Sequence, residues 1–131
     1  MKKRGLAAAL AMLTMATTGT AFAATNYRVA LYRVDVGYNA STVEKEITAN
    51  HAYIKVNGSN HPERATNYLV TTSSGVQMTK DAFIIPNNDT AKKSNPYKSE
   101  YYNYSGACVL RVNSASIPAN YTVWGEWNPN G

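Results

Sequence analysis

Two histidines, one cysteine and eight acidic residues supply most of the groups with which this chain could do chemistry near neutral pH. His51 opens an alternating segment. His61 sits in "SNHPER", in a turn before Pro62. A catalytic triad needs a histidine oriented by a carboxylate and aimed at a nucleophile, and no G-x-S-x-G, H-E-x-x-H, P-loop or G-x-G-x-x-G motif frames either one. Nine positions separate them, with no cysteine nearby, so they match no zinc spacing. The acids form no D-x-D-x-D-G calcium loop, and no spacing marks a pair of glycosidase carboxylates. Cys108 lies in "GACVLRV", in phase with Leu110 and Val112, as a small buried apolar side chain would be. No catalytic residue, metal site or cofactor site is therefore expected.

The marked bias is aromatic and amide. The chain has 10 tyrosines and 2 tryptophans against 2 phenylalanines, and many asparagines. A tyrosine or tryptophan joins a flat apolar ring to a polar tip, which suits a surface dry at one end and wet at the other. Such rings beside amides commonly hold sugars or peptide chains. The candidate binding residues are Tyr101, Tyr102 and Tyr104 in "YKSEYYNYSG", and Trp124 in "NYTVWGEWNPNG". Tyrosine is also a favoured strand residue, so a scaffold role competes with this reading.

The elements that must position these side chains read as strands. "HAYIKVNG" alternates cleanly, with Ala52, Ile54 and Val56 opposite Tyr53 and Lys55, and Asn57-Gly58 supplies turn chemistry. "NYRVALYRVDVGY" changes phase midway, as a bulge or a strand that changes partners would. "STVEKEITANH" fits a strand or a short helical turn. "TNYLVTTSSGVQMT" reads as two strands around Ser74-Gly75, and "DAFIIPN" as a strand stopped by Pro86. "NNDTAKKSNPYK" reads as the longest polar loop. "SEYYNYSGACVLRV" reads as two strands, or as one with a bulge at Gly106. In the last strand, strict alternation puts Trp127 with Tyr121 and Val123 on the apolar face, and Trp124 with Thr122 and Glu126 on the wetter one. A bulge at Gly125 would bring both tryptophans to one face. Seven to nine short strands at turn-separated intervals predict an all-β fold, an antiparallel β-sandwich or a small β-barrel.

Residues 1–23 have the pattern of a secretory signal peptide. Lys2, Lys3 and Arg4 precede an apolar run, and "AFA" ends at Ala23 with small residues at the cut. The run is too short to span a bilayer, and no second one follows it. The remaining 24–131 is one domain's length. Three of the 13 Lys and Arg belong to the leader, leaving 10 against 8 acids and a net charge near +2. No basic block survives, so nucleic acid and anionic membrane are not expected partners. One cysteine cannot form an internal disulfide, and together with the short basic leader this suits a secreted bacterial protein, Gram-positive in style. In that setting the five N-x-S/T sequons, at Asn39, Asn57, Asn88, Asn103 and Asn120, read as amide-rich composition rather than glycan acceptors.

The ending "GEWNPNG" resembles the W-x-P-[DN] tail of a family of small secreted proteins from Gram-positive bacteria. Asn128 and Asn130 stand where serine and aspartate are usual in that tail. The family has no assigned function, so the resemblance implies secretion and a β-rich body and no activity. The sequence thus points to a secreted, non-enzymatic binding domain, extracellular or wall-associated, whose partner is cell-wall glycan or another surface component. A bacteriocin-like or toxin-like protein acting on a competitor's envelope is the alternative.

Overall fold

A computed structural model describes residues 23–33, 36–116 and 118–131. The segment read as a leader, apart from Ala23, and positions 34–35 of the phase-shifting segment lie outside the described residues. Eight strands follow in order. They are β1 (Thr25–Leu31), β2 (Tyr38–Lys45), β3 (His51–Ser59), β4 (Ala65–Thr72), β5 (Phe83–Pro86), β6 (Lys93–Pro96), β7 (Gly106–Ser114) and β8 (Tyr121–Asn128). They form two four-stranded antiparallel sheets, ordered β1-β8-β3-β6 and β2-β7-β4-β5. The sheets pack face to face as an open sandwich, and neither closes into a barrel.

Alternation explains the layering. On β3, Ala52, Ile54 and Val56 are fully buried, while His51, Tyr53 and Lys55 point to the other face. On β8, Tyr121, Val123 and Trp127 face the core, and Thr122, Trp124 and Glu126 face outward. Trp127 is 0% exposed. Tyr68, Tyr97, Leu110, Met78 and Leu31 complete the largest buried set. Each such side chain contributes about 1.5–3 kcal/mol of apolar burial. Cys108 is buried among them, as its phase predicts, with its thiol 3.7 Å from Met78 Sδ.

Two open readings are decided and two expectations change. β1, which ends at Leu31, and β2 belong to different sheets, in keeping with a change of partners and not with a bulge in one strand. "STVEK" is strand and not helix, with Lys45 turned inward and Glu44 outward. The polar loop at 87–98 contains β6, whose inward residue is Asn95, 1% exposed and paired through Nδ2 to the Tyr68 carbonyl at 3.4 Å. A polar residue at the core position hid that strand from the hydrophobic pattern. The tyrosine cluster is not strand. Ser99–Tyr101 form a 3-10 turn, and β7 starts only at Gly106, whose φ of 145° suits glycine.

Gly125 carries no bulge, since β1 and β8 pair in unbroken register across it. The irregularity lies opposite, between Val56 and Gly58. A Cβ at Gly125 would sit 2.8 Å from the Tyr27 hydroxyl and hard against the Lys55 carbonyl.

Candidate functional site

The four residues nominated from sequence do not come together. Tyr101, Tyr102 and Tyr104 lie beside the β2–β3 connection and pack partly on the core. Trp124 faces Gly58, near the far end of β3. The strand between His51 and Gly58 spans about 23 Å at ~3.3 Å per residue. Two regions must therefore be described.

The tyrosine region is organised by a buried cation. Lys45 is 0% exposed, and its Nζ donates to the carbonyls of Ile47, Tyr102 and Tyr104 at 2.8, 2.7 and 3.2 Å. The three ammonium protons thus meet three acceptors. Nζ also lies 5.5 Å from the centre of the Tyr97 ring. Burial pushes this amine below its ordinary value, and nearby Cys108 opposes the shift. Burial likewise pushes the Cys108 thiol up to about 11, with Lys45 pulling the other way, so near neutral pH it is a thiol and a poor nucleophile. The rings of Tyr101 and Tyr104 meet edge to face at 6.1 Å, and Tyr104 Oη donates to the Ala107 carbonyl at 3.3 Å. Their backbone groups and the Tyr104 hydroxyl help to hold this turn over Lys45.

The C-terminal tail fastens the same end. Tyr97 Oη donates to the Pro129 carbonyl at 2.7 Å. Asn130 Oδ1 accepts from the Glu46 and Ile47 N–H groups at 2.7 and 3.3 Å, and its Nδ2 donates to the Glu44 carbonyl at 3.2 Å. The W-x-P-N ending is therefore a clasp on the β2–β3 connection. An open groove of about 500 Å3 remains there, lined in part by Asn50, His51, Tyr102 and Asn130. The side chain of Asn50 holds His51 Nδ1 at 2.8 Å. His61, beyond the other end of β3, pairs with Glu63 at 3.0 Å. The two histidines are thus a strand's length apart. Among the described residues no group of three or more His, Cys, Asp or Glu could hold a metal ion.

The second region is the outer face of β1-β8-β3-β6. Trp124 lies against Gly58, where a Cβ would meet the ring at 2.8 Å, so glycine is needed for the indole to settle there. Arg28, its direct neighbour on β1, places its guanidinium 4.6 Å from the ring centre. Lys92, from the loop before β6, places Nζ 4.2 Å from the centre of the Tyr53 ring. Burial and a hydrogen bond to the Glu126 carboxylate both raise the Tyr53 phenol above its ordinary value. Lys55 stands beside them with Nζ on Asn57 Oδ1 at 2.6 Å. Each cation–ring pair contributes about 0.5–1 kcal/mol at such exposed positions and limits where the cation can go. Of this cluster the sequence nominated Trp124 and did not nominate Arg28, Tyr53, Lys55 or Lys92. The alternation of β3 already placed Tyr53 and Lys55 outward. Strand order, which no pattern reveals, puts Arg28 on Trp124.

No protein-family model matches the chain, and no curated protein or solved structure matches it either. Among the described residues no helix is long and apolar enough to cross a membrane.

Proposed function

We propose that the protein is a secreted, non-enzymatic binding module that engages a cell-surface glycan through the outer face of β1-β8-β3-β6. One observation carries the reading. Trp124 and Tyr53 are partly exposed on one sheet face, held by Gly58 and Glu126 and surrounded by side chains that can donate or accept hydrogen bonds. Sugars offer hydroxyls for those groups and flat C–H faces for the rings. The tyrosine turn supports the fold at the His51 end of β3, away from Trp124. Secretion rests on the leader, and export ending in cleavage after Ala23 predicts a mature protein that begins at Ala24.

Retention of the purified protein on isolated cell-wall material tests the binding. Trp124→Ala and Tyr53→Ala should each abolish retention, while Tyr102→Ala should retain it. Retention lost only with Tyr102→Ala would move the site to the tyrosine end. N-terminal sequencing of protein from culture medium checks the export step.

A further inference from the structure

The outer face carries three cations, Arg28, Lys55 and Lys92. Among the described residues, no carboxylate forms an ion pair with Arg28, Lys55 or Lys92. Their neighbours are the Trp124 ring, the Asn57 amide and the Tyr53 ring. By contrast Lys93 is spent on Asp89 at 2.7 Å, and Lys45 on three carbonyls. A guanidinium stacked on an indole still offers its N–H edge to an oxyanion, and its lost freedom is already accounted for in the free protein.

The geometry points to a polyanionic polysaccharide as the ligand of this face, one carrying a carboxylate or phosphate on its repeating unit. This rests on the outer face being the binding surface. The spacing supports it. Arg28 on β1 and Lys55 on β3 are two strands apart and stand opposite neighbouring outward positions of β8, Trp124 and Glu126. Their Cα atoms are thus about 12 Å apart. Charges so thinly spread suit a polymer with one anion per sugar unit better than duplex DNA, which carries one per ~1.7 Å. Glu126 sits between them, where it would repel a dense phosphate array but accept from a sugar hydroxyl. A bilayer partner is disfavoured because, among the described residues, the exposed large apolar side chains, Tyr32, Ile47, Val76 and Ile84, all lie outside the strands of this sheet.

The test measures binding of the purified protein to soluble polygalacturonate, poly(glycerol phosphate), neutral dextran, duplex DNA and phosphatidylglycerol vesicles. Each is titrated at about 50 and about 500 mM salt. The expected result is binding to polygalacturonate, weakened at least about ten-fold by the salt; binding to poly(glycerol phosphate) alone, which carries phosphate without a sugar ring, overturns the polysaccharide. The triple variant Arg28→Gln, Lys55→Gln, Lys92→Gln should lose a similar factor while its circular dichroism is unchanged. Lys80→Gln with Lys98→Gln should lose nothing. Dextran bound as well as the anionic polymers, and without salt dependence, overturns the polyanion and leaves the glycan-binding face standing. Tighter binding to DNA or vesicles overturns it in favour of those partners. No binding to any probe, together with no retention on cell-wall material, overturns both.

Discussion

Two cation–aromatic clusters, one buried and one on the outer face of β1-β8-β3-β6, differ in what else the cation touches. In the buried one Lys45 approaches Tyr97, and every ammonium proton meets a carbonyl in a site closed to solvent. On the outer face Arg28 and Lys92 lie on Trp124 and Tyr53, and among the described residues neither forms an ion pair. The first arrangement is complete without a partner and holds a turn in place. The second is ordered and unsatisfied. The same pairing of charge and ring therefore serves as a clamp where it is sealed and as a display where it is open. A side chain's type does not reveal which role it has. The count of remaining hydrogen-bond partners does.

The sharpest way to break this contrast is through the two tryptophans of β8. Trp127→Ala should destabilise the domain by about 3–5 kcal/mol, since it empties the core of its largest side chain. Trp124→Ala should cost about 1 kcal/mol or less and act on binding instead. Chemical denaturation of the two variants checks this, and equal losses would mean that Trp124 is scaffold. The buried indole Nε1 of Trp127 has no acceptor among the described residues. Its core position is thus held by ring packing, against about 1–3 kcal/mol for the unmet donor.

Next in size is the clamp. Lys45→Met should cost about 2–4 kcal/mol, because three carbonyls of the turn lose their donor in a buried site. Arg28→Gln should leave stability within about 0.5 kcal/mol of the parent. If Lys45→Met is neutral, the clamp is ornamental and the comparison fails.

Alkaline pH probes the same end. Cys108 rises from an ordinary value of 9.0 to about 11 on folding, so the native state holds its proton longer than the unfolded chain does. That stabilisation is complete below pH 9.0 and is lost as pH climbs to about 11, an effect of order 2–3 kcal/mol. The buried phenols of Tyr27, Tyr68 and Tyr97, all raised by burial, act in the same direction above pH 10.0. Lys45, lowered on folding by burial, works in the opposite sense below 10.5. A Cys108→Ala series against pH should lose the first part of the decline and keep the tyrosine part. An unchanged decline would show that the thiol titrates as freely as in the unfolded chain.

A more modest loss is expected at the tail. Asn130→Ala should cost about 1–2 kcal/mol by leaving the Glu46 and Ile47 N–H groups without their acceptor. Asn130→Asp should cost less, since a carboxylate accepts from both and loses only the donation to Glu44. Thermal melts of the two variants rank them. The reverse order would mean that the amide donor, and not the acceptor, closes the clasp.

Much of this fold was legible in the chain. The β3 and β8 alternation set the inner and outer faces, including the split between Trp124 and Trp127. Cys108 and its phase partners fell in the core. The missed features share one physical cause, which is polar groups satisfied by partners distant in sequence. Asn95 buries itself through the Tyr68 carbonyl, and Lys45 through carbonyls 57 and 59 residues away. Arg28 meets Trp124 only because β8 lies between β1 and β3. Periodicity reports burial of apolar faces and says nothing about which polar groups will meet.

The most direct test of the binding face follows the two indole N–H signals by NMR while soluble surface polysaccharide from the source strain is added. The account predicts that the Trp124 signal moves with ligand, together with the ring signals of Tyr53, while Trp127 and Tyr102 stay in place. Movement of Tyr102 and His51 with Trp124 unmoved would contradict it and assign recognition to the groove at the clamped end.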